Sequence, residues 1–280
     1  MRSMCVMAAM GVVVASAAVA AAQEQVSLYP SKDATLFEPD VAESQLSGGG
    51  GQLFVGRTGS GRLRRAMMVF DVAGAVPAGA TITAVELRLN VNQTNAGAAD
   101  TVLHRLSADW GEGTTVGAGG GAAGAAAQTG DATWAYRFYP TEAWTNLGGD
   151  YEPAVLATKS MGGVGPYTFS TEALRAAVED MLLNPESNFG ILAIGDEVNG
   201  ITAKRVNSRE NTNESTRPLL TITYEPGCLA DWNQDGGIDG DDVIAFFGDW
   251  DAGNADVDGS GGTDGDDVIV FFGQWDSNCT

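Results

Sequence analysis

The sequence predicts a mainly β fold, a sandwich of short strands broken by one helix, followed by a small helical unit built from one segment written twice. Three observations predict it. Short runs with alternation or β-branched content, separated by turn residues, fill positions 25–224. One stretch, 171–183, switches to helical period. Residues 239–251, DGDDVIAFFGDWD, return almost unchanged as DGDDVIVFFGQWD at 264–276.

The strand runs, in order, are 52–56, 66–71, 82–91, 101–106, 189–194 and 218–224. In the helical stretch Leu174, Ala177, Val178, Met181 and Leu182 recur on one face, with Ser170 as the expected N-cap. Positions 117–130 are nearly all glycine and alanine and have no apolar face, so a flexible surface loop is expected there.

The repeat carries the clearest chemistry. Its copies start 25 residues apart, the length of a loop plus one short helix. Calcium takes six to eight oxygens, and a twelve-residue loop supplies them from positions 1, 3, 5, 7, 9 and 12 with glycine at 6. In the first copy Asp231, Asn233, Asp235, Asp239 and Asp242 supply side chains, Gly236 makes the turn and Gly237 offers its carbonyl. In the second the same places hold Asp256, Asp258, Ser260, Asp264 and Asp267, with Gly261 and Gly262. Two Ca2+ ions are therefore expected as structural cofactors. Position 12 is Asp rather than Glu, and no helix-like stretch precedes either loop. Val243, Ile244, Phe246 and Phe247, and Val268, Ile269, Phe271 and Phe272, follow the loops at helical spacing with the character of a buried face. An acidic disordered tail is the alternative, since residues 228–280 hold 13 Asp and no Lys, Arg or Glu. Four phenylalanines and three tryptophans at fixed spacing argue against it. Without the ion the like charges repel, so folding is expected to couple to calcium.

Residues 227–280 thus resemble a dockerin domain, a duplicated half EF-hand that docks onto a cohesin module. The resemblance implies that positions 10 and 11 of each repeat contact the partner. Here these are Gly240 and Asp241, and Gly265 and Asp266, not the hydroxyl-bearing pair common in the family.

Met1-Arg2, an apolar stretch from Val6 to Ala22, and three alanines before Gln23 fit a secretory signal peptide over 1–22, so a secreted or cell-surface protein is expected. No later apolar run approaches the roughly 20 residues of a spanning helix. Cys228 and Cys279 bracket the repeat. In an oxidising compartment they are expected to form a disulfide contributing about 3 to 4 kcal/mol, two free thiols being the alternative. A net charge of −21 argues against a nucleic-acid partner.

Within the expected β domain, 23–226, several motifs fall in order: DATL at 33–36, LFVG at 53–56, RAMMVFD at 65–71, AVELRL at 84–89, DWGE at 109–112, WTNLGGD at 144–150, NFG at 188–190, and SRE at 208–210 before Arg217-Pro218. Together they resemble the DNRLRE domain, also grouped as carbohydrate-binding module family 96. The resemblance implies a non-catalytic β jelly roll or sandwich, in some members binding an acidic polysaccharide such as alginate.

Sugar binding uses aromatic faces and fixed polar groups. Trp134, Tyr136 and Trp144 are the aromatic candidates, weighed against a core role. Arg137, Lys204, Arg205 and Arg209 are the candidates for uronate carboxylates, weighed against surface charges and internal ion pairs, Ser208-Arg209-Glu210 in particular. A glycosidase acid and nucleophile could come from Asp109, Glu112 and Asp150, whose loop-like settings suit hydrogen-bonded turns or a structural calcium site better, and a lyase or hydrolase could be assembled only from Tyr136, Glu112, Asp150 and His104, a histidine in a strand-like run where a packed or surface role is the alternative. No nucleophile elbow, metalloprotease helix or phosphate loop is present, and the chain is not expected to be an enzyme. A structural surface or matrix protein, with the sandwich as a spacer, is the other reading.

Overall fold

The computed structural model describes residues 23–40, 45–48, 50–77, 79–117, 123–233, 235, 237–257 and 259–277. The signal peptide, Gly236, Asp258 and Cys279 lie outside these residues, and with them the Cys228–Cys279 pairing; Cys228 itself is engaged rather than free. The chain forms two compact units, one of Gln23–Cys228 and one that includes the residues from Leu229 on.

The first unit is mainly β. Its strands are β1 Glu24–Leu28, β2 Lys32–Phe37, β3 Leu46–Ser47, β4 Gln52–Arg57, β5 Leu63–Val69, β6 Thr81–Thr94, β7 Ala99–Arg105, β8 Ala125–Ala126, β9 Tyr136–Phe138, β10 Glu142–Ala143, β11 Ala157–Met161, β12 Gly165–Phe169, β13 Ile191–Gly195, β14 Lys204–Asn207 and β15 Leu219–Glu225. Eleven of them form one curled antiparallel sheet in the order β1-β15-β6-β14-β4-β5-β13-β7-β11, with β12 on β6 and β2 on β5. All six strand runs read from the sequence lie in it. β4 turns the sheet, pairing with β14 along its length and with β5 only through Gly56 and Arg57.

Parity explains the core. Along β6, Ile82, Val85, Leu87, Leu89 and Val91 are buried. The step from 82 to 85 breaks alternation because Tyr224 pairs with Ile82 and Thr223 with Ala84, leaving Thr83 as an extra residue. That bulge returns both Ile82 and Val85 to the core face. The main cluster joins these side chains to Leu53, Val55, Ala66, Met68, Ile191, Leu220 and Ile222. β5 is buried on both faces: Met67 and Val69 point instead into a second cluster with Leu36, Leu192, Trp110, Trp134 and Trp144.

The helix α1, Glu172–Leu183, packs the expected face, Leu174, Ala177, Val178, Met181 and Leu182, into the main core. Its cap is Thr171, not Ser170: Leu174 N donates to Thr171 Oγ1 at 3.1 Å, whereas Ser170 Oγ donates to the Val85 carbonyl. The expected loop over 117–130 is structured near its end, where β8 pairs with β3, and residues 118–122 lie outside the described ones.

Gly190, in the NFG motif, has φ +94° and would place a Cβ 2.2 Å from the Met68 carbonyl oxygen. Gly190→Ala is therefore expected to lower stability by about 3 kcal/mol, the upper end for a non-glycine residue in such a backbone region. Urea denaturation of the first unit measures it.

The second unit contains α2, Gly240–Asp251, and α3, Gly265–Ser277. Phe246 and Phe271, equivalent in the two repeats, stack with centroids 4.1 Å apart and 4° between planes. Trp232 meets both rings edge-on. The face assigned from the sequence needs correction: Phe247 is 37% exposed, and Ile244 and Ile269 are 72% and 70% exposed. Two residues from the buried phenylalanine, each isoleucine is rotated about 200° around the helix and points outward. Among the described residues no helix is long and apolar enough to cross a membrane.

Candidate functional site

A cleft of about 270 Å³ opens where β4, β5, β6 and β14 meet. Arg64, Lys204 and Arg205 line it together with Thr58, Gln93, Thr94 and Asn95, and no carboxylate does among the described residues. Register places these groups: Lys204 pairs with Val55 and Thr94, and Arg205 with Phe54 and Gln93. Arg64 shares the parity of Ala66 and Met68 and is 7% exposed. Its guanidinium lies over the Phe37 ring, and its Nε is buried with no hydrogen-bond partner. Burial pushes the Arg64 guanidinium below its ordinary range, though it stays charged. Arg205 is half-buried and donates from Nε to Asn92 Oδ1 at 2.6 Å. Lys204 is 1% exposed and donates from Nζ to the Gly97 carbonyl at 2.6 Å; burial lowers its pKa. In a chain of net charge −21, a recess lined by three cations and no carboxylate is suited to an anion, with Asp40 and Glu38 the carboxylates whose charge reaches Arg64.

A second polar cluster surrounds Arg209. Its Nε and Nη2 hold Glu112 bidentately, both at 2.8 Å, and Nε also lies 2.7 Å from Glu210 Oε1. Asp33, fully buried, accepts the Arg209 amide at 2.8 Å, while its own amide donates to Glu112. Burial pushes the Asp33 carboxyl well above the usual range, with Glu210 and Glu112 adding to the rise. Carboxylate oxygens of Asp33, Glu112 and Glu210 lie within 4.8 Å of one another.

The other sequence candidates fall in different places. Trp134 is buried beneath the Arg65 guanidinium, and Trp144 is buried with its Nε1 donating to the Thr133 carbonyl, so neither presents an open face to a sugar. Tyr136 is half-buried against Tyr139, and Arg137 is spent on an ion pair with Glu142 and on the Asp109 carbonyl. Arg209 is committed to its acids. Among the catalytic candidates, His104 is 9% exposed with Nδ1 3.0 Å from the Glu152 and Ala154 carbonyls. Asp109 pairs with Lys32 at 2.8 Å. Asp150 accepts the Thr145 and Asn146 amides; burial pushes its carboxyl up, and these bonds outweigh it and hold it below the usual range. Each of these groups closes a turn or an ion pair.

In the repeat, both position-12 carboxylates are buried at the first turn of their helices. Asp242 accepts the Asn233 and Asp239 amides at 3.0 and 2.9 Å, completing a capping box with Asp239. Asp267 accepts those of Val257 and Asp264 at 2.6 and 2.7 Å. The Asp235 amide donates to Asp231 Oδ1 and Asn233 Oδ1 and the Gly237 amide to Asp235 Oδ1, while Asp256 accepts the Gly261 amide. Ser260, Gly262 and Asp264 are exposed in the second loop, as are Gly240, Asp241, Gly265 and Asp266 at the helix starts. This all-oxygen donor set fits a hard cation in its chemistry. Among the described residues, however, the loop carboxylates do not draw three oxygens within 4.8 Å of one another, as Asp33, Glu112 and Glu210 do.

Of the cleft cations, the sequence reading missed Arg64; the signal available was an arginine at the parity of Ala66 and Met68 in β5. No protein-family model matches the chain, and no curated protein matches it.

Proposed function

We propose that this chain is a secreted, non-catalytic binding protein whose β unit, read as a jelly-roll-like sandwich of the DNRLRE type, engages an acidic extracellular polysaccharide. The observation that carries the reading is the carboxylate-free cleft of Arg64, Lys204 and Arg205 on an acidic chain. A uronate carboxylate there would accept from the half-buried Arg205 guanidinium, with the buried Arg64 and Lys204 adding positive charge behind it. The dockerin-like repeat would bind two Ca2+ through Asp231, Asn233, Asp235, Gly237, Asp239 and Asp242 and their counterparts, and attach the protein to a cohesin-type or cell-surface partner through the exposed helix starts. Calcium would neutralise loop carboxylates that otherwise repel.

Affinity electrophoresis against acidic and neutral polysaccharides tests the first half. Retardation by polyuronates and not by neutral glucans is expected, weakening as salt rises because the contacts are ionic. Retardation by neutral glucans alone would overturn it. The spacer reading keeps one specific support: Phe54, the aromatic ring of the cleft, is 6% exposed and leaves little face for stacking. Absence of retardation by every polysaccharide would favour it.

A further inference from the structure

We propose that Asp33, Glu112 and Glu210 form a binding site for a hard divalent cation of the calcium class, separate from the two repeat loops. Three observations carry it. Their oxygens lie within 4.8 Å of one another, the span of two oxygens on opposite sides of a calcium ion at about 2.4 Å each. Asp33 is fully buried, and its Oδ1 has no hydrogen-bond partner, so a carboxylate oxygen with both lone pairs unused sits in the group. Finally, three acids face one guanidinium: Arg209 holds Glu112 and Glu210, which leaves the cluster one charge short of neutral with Asp33 protonated and two short once Asp33 gives up its proton to a cation. A divalent cation removes that deficit.

The three ligands come from separate stretches of chain: β2, the turn after Trp110, and the turn after β14. A cation here would cross-link them and fix the start of the sheet to two distant turns. Glu210, with a side chain 34% exposed, provides access from solvent.

The competing occupant is a proton shared between Asp33 and a neighbouring carboxylate, and a count of bound ions separates the two. The full chain carrying Asp242→Asn and Asp267→Asn, which weakens both repeat loops, is equilibrated with calcium, desalted and weighed by native mass spectrometry. One retained calcium per chain is expected, and the β unit should unfold at a higher temperature with calcium than with chelator. Adding Glu210→Gln, a half-exposed change that leaves the Arg209–Glu112 pair in place, should abolish both; Asp33→Asn should do the same. A calcium-free loop-weakened chain, or a Glu210→Gln chain that keeps its ion, would overturn the proposal. Polysaccharide binding plays no part in either readout.

Discussion

Phe271→Ala is expected to unfold the helical repeat even in saturating calcium. The side chain is fully buried, stacks on Phe246 and is met by Trp232 and Trp275. Truncating a buried phenylalanine costs about 3–5 kcal/mol, and a unit of roughly fifty residues has little more than that to lose. Only Phe246, Ala255 and Phe271 form the fully buried part of this core among the described residues. The thirteen Asp of residues 228–280, with no basic residue among them, oppose compaction throughout. Loss of helical circular dichroism and a red shift of tryptophan emission measure it, and chelator should move the wild-type chain the same way. Ile244→Ser is the control: at 72% exposure it should change stability by no more than about 0.5 kcal/mol. A Phe271→Ala chain melting with the wild type would contradict this account of the repeat.

Arg209→Ala should be the most damaging polar substitution in the β unit. It leaves Glu112 and Glu210 without their cation beside the buried Asp33, which already holds its proton too tightly for an ordinary carboxylate. Breaking a buried pair costs about 3–5 kcal/mol; with Arg209 35% exposed, water recovers part of this, and about 3 kcal/mol is expected. Urea denaturation gives the value. A double-mutant cycle gives the mechanism: Glu112→Gln added to Arg209→Ala should restore part of the loss, because it removes one uncompensated charge. Strict additivity of the two changes would show that packing of the arginine stem, and not charge, sets the cost.

How much of this was legible in the chain depends on what each segment buries. The strands read from the sequence are those with apolar alternation or β-branched runs, such as β6 and β15. Polar strands such as β11, ATKSM, and β14, KRVN, carry no such signal and exist because a neighbour pairs with them. The bulge at Thr83 is invisible without the partner strand. The two helices after the loops were legible because their repeat and the Asp242 and Asp267 turns that start them are local. The cleft was only half legible, since it joins positions 64 and 204–205 across the curled sheet. The tryptophans misled for a physical reason: the described residues of 106–117 and 123–151 have little regular structure and cover β5 and β13 with large rings, and the same residues that suit a sugar site serve as core. The outward-facing Ile244 and Ile269 show the reverse, apolar residues that the pattern assigned inward.

The central claim is that the cleft holds an anionic sugar, and Arg205→Gln tests it most directly. The substitution lies at a half-buried edge and shortens one donor without touching the core. Titration of wild-type and Arg205→Gln chains with an oligouronate, by calorimetry in calcium, is predicted to show at least about tenfold weaker binding for the variant, the loss of one charged hydrogen bond worth about 1.5 kcal/mol. Equal dissociation constants for the two chains, with the melting temperature unchanged, would contradict the account and remove the cleft from the binding surface.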